Sequence, residues 1–239
     1  MTLSSLWIRD FRCFEEARIR PDPSGLTVLH GANGAGKTSV LEAIGWLATL
    51  RSFRGAVRET VVRRGARSAV LRAETAVLDR IAAIELEITP ERAGRTLLNR
   101  QLVRRRSELA QALRVSVFSP ADRVLVEGGP AERRNFLDEL LAGRSQRLEA
   151  LVDEVAQVLR QRTALLRQSG GRLDAEIGTT LDVWDSRLAI SGAELASERE
   201  KLAAALEPLV IDAYSHLAGV ADRVSLSYER SWDGDLSKA

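Results

Sequence analysis

Gly31-Ala32-Asn33-Gly34-Ala35-Gly36-Lys37-Thr38 is the stretch that decides the reading of this chain. It has the form of a phosphate-binding loop: a glycine, four residues, then Gly-Lys-Thr. Each part has a physical reason. The glycines let backbone N–H groups turn inward and approach phosphate oxygens closely. A helix starting at the loop adds partial positive charge at its N-terminus. Lys37 supplies a point charge to the outer phosphates, and Thr38 supplies a hydroxyl to Mg²⁺, which prefers oxygen ligands. Ser39 is a further phosphate candidate. The flanks suit the motif. Leu26-Thr27-Val28-Leu29 predicts a strand before it, and Thr38–Leu50 predicts a helix after it, with Val40, Leu41, Ile44, Leu47 and Ala48 on one face. The plainer alternative is a glycine-rich strand-to-helix turn with a surface lysine.

Working outward, the chain has 239 residues, long enough for one large domain or a domain with a subdomain. A single cysteine, Cys13, excludes an internal disulfide framework and fits a reducing compartment. With two histidines besides, little is left for a zinc or iron site. The longest charge-free apolar run, Ala43–Leu50, is far short of the roughly 20 residues that span a bilayer. The N-terminus has no apolar core of a signal peptide. A cytoplasmic protein without a membrane segment is the expectation.

The net charge of +2 hides an asymmetry. Residues 1–130 hold 21 Lys and Arg against 14 Asp and Glu, whereas residues 131–239 hold 14 against 19. The excess is clustered. Arg51 to Arg72 contains seven arginines and one acid, Glu59; Arg92 to Arg114 contains seven and one acid, Glu108. Such clusters form footprints for an anionic polymer, or else solvated faces of an arginine-rich chain. Arg51, Arg54, Arg58, Arg63, Arg64 and Arg67 are the DNA-binding candidates. Few aromatics accompany them, which favours contact with the nucleic-acid backbone over base stacking.

Along the chain, Leu3–Ile8, Ala69–Val77, Ile81–Thr89, Val115–Phe118 and Val224–Tyr228 predict strands. The short Leu78–Arg80 link predicts a hairpin. From Ala131 to Leu217 helical periodicity dominates, broken at Ser169-Gly170-Gly171, which predicts two antiparallel helices, the second weakened by Gly178 and Gly192. The domains read as residues 1–130, an N-terminal head with the phosphate-binding loop; 131–217, a helical lobe; and 218–239, the start of a return to the head.

Hydrolysis at such a loop needs a carboxylate on a strand end to hold Mg²⁺ and orient water. The nearest candidate, Phe136-Leu137-Asp138-Glu139, reads instead as the polar start of a helix. Ser169-Gly170-Gly171 reads as a turn rather than a nucleotide-binding signature. No residue earns a catalytic assignment, and His30 and Trp184 read as structural.

Gly31–Ile44 and Asp10-Phe11-Arg12-Cys13-Phe14 resemble the SMC and ABC-type ATPases that act on DNA. Leu50-Arg51-Ser52-Phe53-Arg54, Phe118–Asp122, Gly128–Asp138 and Trp184-Asp185 narrow the resemblance to the RecF family of DNA replication and repair proteins, from Leu3 to Trp232. Phe53 departs from the family, which usually has histidine there. The resemblance implies an α/β fold: an ABC/SMC-type ATPase head, with a mixed sheet and an antiparallel meander, carrying an inserted helical lobe. It implies binding of ATP and Mg²⁺ by residues Gly31 to Thr38 with help from Arg12, head-to-head dimers, binding at single-stranded or gapped DNA, partners RecR and RecO, and a part in loading recombinase. The family's signature and acidic Walker B segments lie in its C-terminal third, which this sequence does not include. Weak ATP binding and no dimer-dependent turnover are therefore expected. Two further readings are a non-catalytic DNA- or partner-binding module with a vestigial loop, and a small-molecule kinase, for which no lid or acceptor pocket is evident.

Overall fold

A computed structural model describes residues 1–77, 80–91, 94–170, 174–219, 224–230 and 232. The chain forms two compact units, Met1–Arg123 and Val124–Ala239.

The first unit is built on alternation. Strands β1 (Thr2–Phe11), β2 (Phe14–Ile19), β3 (Ala69–Val77), β4 (Arg80–Ile88), β5 (Thr96–Leu98) and β6 (Gln101–Leu102) form one sheet in the order β2-β1-β3-β4-β5-β6. Every pairing is antiparallel. Leu6 and Ile8 of β1, Leu71 and Ala73 of β3, and Ile84, Leu86 and Ile88 of β4 point to one side and are buried. Helix α1 (Lys37–Thr49) packs Val40, Ala43 and Leu47 into the same core. Two short helices, α2 (Arg58–Val61) and α3 (Arg106–Leu109), close its edges with Val61 and Leu109.

The opposite face carries paired charge. Trp7, Arg72 and Glu85 stand opposite one another on β1, β3 and β4. The Arg72 guanidinium lies 4.7 Å from the Trp7 ring centroid and its Nε donates to Glu85 at 2.6 Å. Trp7 Nε1 donates to Glu16 at 3.0 Å. Such cross-strand contacts are the unit of sheet stabilisation.

Three strand expectations are corrected. Residues 26–29 join no ladder, and Leu26 and Val28 are 87% and 69% exposed. Residues 115–118 and 224–228 are likewise outside any strand. β-propensity becomes a strand only beside a hydrogen-bonding neighbour, and among the described residues none runs along these segments. One helix-face assignment also changes: Leu41 is half exposed, while Glu42 is fully buried.

The second unit is helical. After a turn at Pro120–Arg123 and the short α4 (Val124–Glu127), it contains α5 (Pro130–Arg144), α6 (Gln146–Gln168) and α7 (Ala175–Ala218). The expected pair of helices is thus preceded by a third. Pro130 sits in the first turn of α5, where its missing N–H costs nothing. Ser145 divides α5 from α6: its backbone is extended and its hydroxyl accepts from the Leu148 N–H. Asp174 caps α7 in the same way through Ile177. Gly178, Gly192 and Pro208 all lie within α7, which continues past them. Leu141, Leu148, Leu151, Val155, Leu195 and Leu202 form the core.

Asp138 and Arg199 join α5 to α7. Arg199 donates from Nε and Nη2 to the two carboxylate oxygens at 2.7 Å each, and from Nη1 to the Tyr228 hydroxyl at 3.3 Å. Burial alone would lower the Arg199 pKa; these partners outweigh it and raise it. The Phe136–Glu139 stretch is helical, as its polar flank implied, and its Asp138 is held by an arginine. Asp138→Ala leaves that guanidinium without its carboxylate and is expected to cost about 2 kcal/mol. Chemical denaturation of the two proteins side by side measures the cost, and a difference below about 0.5 kcal/mol would show the pair to be marginal.

Candidate nucleotide site

The loop 31–36 leads directly into α1, whose N-cap is Gly36. No side chain caps this helix end. The first backbone bond within the helix runs from Val40 N–H to Gly36 C=O at 3.0 Å. The N–H groups of Lys37, Thr38 and Ser39 therefore precede the helical ladder and face the loop, the arrangement that binds anions at helix ends. Gly34 and Gly36 have φ of 86° and 94°, values that carry little cost only for glycine.

Lys37 arches back over the loop. Its Nζ donates to the carbonyls of Gly31 and Ala32, at 2.8 Å each. These bonds fix the ammonium above the same backbone that would surround a phosphate. Gly31, Ala32, Asn33, Gly34 and Ala35 are exposed, as is Thr38. Ser39 is only 9% exposed and packs into the unit instead. Thr38 and Lys37 fit a Mg²⁺–phosphate ligand by donor chemistry. Among the described residues no group of three or more His, Cys, Asp or Glu side chains is placed to hold a metal ion.

Arg12 belongs to the turn beside this loop but is held elsewhere. Its Nε and Nη2 donate to the two oxygens of Glu42 at 2.8 and 2.7 Å, and Nη1 donates to the Thr60 carbonyl at 2.9 Å. Its backbone has φ of 55°, in the turn between β1 and β2, and its N–H donates to Val61 C=O at 2.7 Å. Glu42 also accepts from the Ser52 hydroxyl at 2.5 Å and has Arg54 at 3.8 Å. Burial works to raise its pKa, but the bonds from Arg12 and Ser52 and the charges of Arg12 and Arg54 outweigh it, so the carboxyl stays below its ordinary value. One carboxylate of the helix following the loop thus ties down the β1–β2 turn and the start of the basic stretch. Sequence reasoning missed this role. The available signal was an acid between Leu41 and Ala43 in an apolar helix.

The basic stretch divides in two. Arg54 is drawn toward Glu42, and Arg63 pairs with Asp10 at 3.1 Å and Glu15 at 3.3 Å. Arg58, Arg64 and Arg67 are exposed, and among the described residues no carboxylate pairs with them. Arg51 and Arg58 line an open groove of about 560 Å³ with Trp46, Val57 and Pro90, away from residues 31–38.

A glycine loop feeding the uncapped N-terminus of α1 defines the class, and comparison places the chain in it. The chain belongs to the AAA domain family, whose profile matches residues 5–207. Within that class it is similar to proteins named DNA replication and repair protein RecF. The Frankia alni protein is 44% identical over 237 residues, covering 97% of this chain and 62% of the relative. The Streptomyces avermitilis protein is 40% identical over 242 residues, covering 98% and 64%. This chain therefore spans just over three-fifths of the length of these relatives. In structure it resembles the recombination mediator protein RecF-ATP of the RecFOR pathway, with a TM-score of 0.83 over 91% of this chain and 58% of that one, at 21% identity. That likeness bears out the expected α/β head with its antiparallel meander and helical lobe. Among the described residues no helix is long and apolar enough to cross a membrane.

Proposed function

We propose that this chain binds ATP with Mg²⁺ at Gly31–Thr38 and serves in DNA replication and repair as its RecF-named relatives do. The observation that carries the reading is the uncapped N-terminus of α1 behind a glycine loop, with Lys37 arched over it. In this reading the loop N–H groups and Lys37 hold the outer phosphates and Thr38 offers its hydroxyl to the cation. Bound Mg²⁺ would supply charge neutralisation of the phosphates. Residues 1–130 act as an ATPase head, 131–217 as a helical lobe, and 218–239 as a return to the head. Arg58, Arg64 and Arg67 contact DNA at single-stranded regions or gaps. RecO and RecR are the proposed partners, a cytoplasmic setting follows, and two heads meet around ATP in the assembled protein.

Fluorescent-ATP titration of this chain tests the reading. Lys37→Ala is expected to weaken Mg²⁺-dependent binding about 30-fold, equivalent to about 2 kcal/mol for a charged hydrogen bond. Unchanged affinity would overturn the nucleotide assignment. DNA affinity that is salt-sensitive yet indifferent to ATP and to Lys37 would favour a non-catalytic binding module instead.

A further inference from the structure

The second arginine cluster has a structure of its own. Strands β5 and β6 form a hairpin whose turn residues, Asn99 and Arg100, both have positive φ, 50° and 67°. That is the two-residue turn whose twist suits a hairpin. Asn99 pins the tip to β4: its N–H donates to the Ala83 carbonyl at 2.8 Å, and its Oδ1 accepts from the Ala83 N–H at 2.9 Å. Arg100 stands beside it where glycine is the unstrained choice. At the other end of the hairpin, Val103 N–H donates to Thr96 C=O at 3.0 Å. This places Arg95 and Arg104 on opposite sides of its base.

Arg95, Arg100 and Arg104 are exposed, and no described residue pairs with their guanidinium groups. The cluster's one acid, Glu108, uses a carboxylate oxygen to accept from the backbone N–H groups of Arg104 and Arg105, at 3.2 and 2.9 Å. The neighbouring sheet face is the opposite case, with Arg72 on Glu85 and Arg18 on Glu16. Base to tip is about four residues, or roughly 13 Å of strand, comparable to the roughly 12 Å width of the DNA major groove.

We propose that the β5–β6 hairpin is a second DNA-contacting surface, in which Arg95 and Arg104 at the base and Arg100 at the tip meet phosphates of a duplex. The proposal rests on the reading that this chain binds DNA. It adds a surface distinct from residues 51–67 and assigns it to backbone contact, because guanidinium groups pair bidentately with phosphates and residues 95–104 hold no aromatic side chain to stack on bases.

The test is salt-dependent binding of a short fluorescein-labelled duplex to the whole chain. Removing one arginine–phosphate pair flattens the plot of log affinity against log salt by about 0.9. The triple variant Arg95→Gln/Arg100→Gln/Arg104→Gln is expected to flatten it by about 2 to 3. The corresponding triple Lys variant keeps the charge and is expected to keep the slope to within about 1. It also separates removal of charge from any failure to fold. Arg9→Gln/Arg18→Gln on the paired sheet face is expected to change the slope by less than about 1. A wild-type slope in the triple Gln variant, with Arg58→Gln/Arg64→Gln/Arg67→Gln flattened, overturns the hairpin surface and leaves the DNA reading intact. A wild-type chain that does not bind the duplex overturns both.

Discussion

Replacing Glu42 with alanine is expected to destabilise the first unit by about 3 kcal/mol, the range for removing one partner of a buried ion pair. The carboxylate is fully buried and accepts two bonds from Arg12 and one from Ser52. Arg12 is only 21% exposed, so the variant leaves its guanidinium partly desolvated with Thr60 C=O as its remaining acceptor. The substitution also frees the β1–β2 turn and the 52–54 loop from α1. Glu42→Gln keeps the volume and some hydrogen bonding, and is expected to cost less than half as much. The same group sets an acid limit. Its folded-state pKa lies below its ordinary 4.5, so its contribution is complete above about 4.5 and disappears as pH falls through the lower folded value. The wild-type chain should therefore lose stability on acidification below about pH 4.5, and Glu42→Ala should lose less over that interval. Denaturant midpoints measured across it decide the matter. Parallel curves for the two proteins would mean that Glu42 is not the group responsible.

Glu42 also shows where the sequence stopped being informative. Strand β3 could be read to its end residues, and α1 to within one, because alternation and helical spacing are local properties of a chain. The β3–β4 hairpin was legible for the same reason, although Leu78 and Asp79 lie outside the described residues. Strand β2 was not. Its Glu15, Glu16 and Arg18 look like surface, and only pairing with β1 makes it a strand. Residues 26–29 failed in reverse: β-prone residues were present and, among the described residues, a pairing neighbour was not. The loop 31–38 was legible because its chemistry lies within eight consecutive residues. The contact between Arg12 and Glu42 joins positions 30 apart, and no periodicity announces it. The same holds for the sorting of the arginines. Composition counts Arg54 and Arg64 alike, but only the folded chain brings a carboxylate to the first.

Gly36→Ala is expected to cost about 3 kcal/mol and to remove measurable nucleotide binding, for two separable reasons. A side chain at φ of 94° carries roughly 1 to 2 kcal/mol of backbone strain. The added Cβ would also stand 2.5 Å from Phe14 Cζ and 2.7 Å from Cys13 Sγ, inside contact distance. Crowding of that kind costs roughly 1 to 3 kcal/mol. Phe14 starts β2 and Cys13 lies in the turn before it, so relief comes from displacing these two side chains or the helix start, the element that sets the loop N–H groups. Gly34→Ala provides the comparison. Its φ is 86°, but a Cβ there meets nothing within 4 Å, so only the backbone strain remains, about 1 to 2 kcal/mol. The double variant Gly36→Ala/Cys13→Ala removes one obstructing atom and is expected to recover part of the stability of Gly36→Ala. Thermal unfolding and fluorescent-ATP titration of the three variants separate the contributions. Equal destabilisation at Gly34 and Gly36, with no recovery in the double variant, would show that the loop does not rest against the β1–β2 turn, and the geometry assigned to the site would then be wrong at its base.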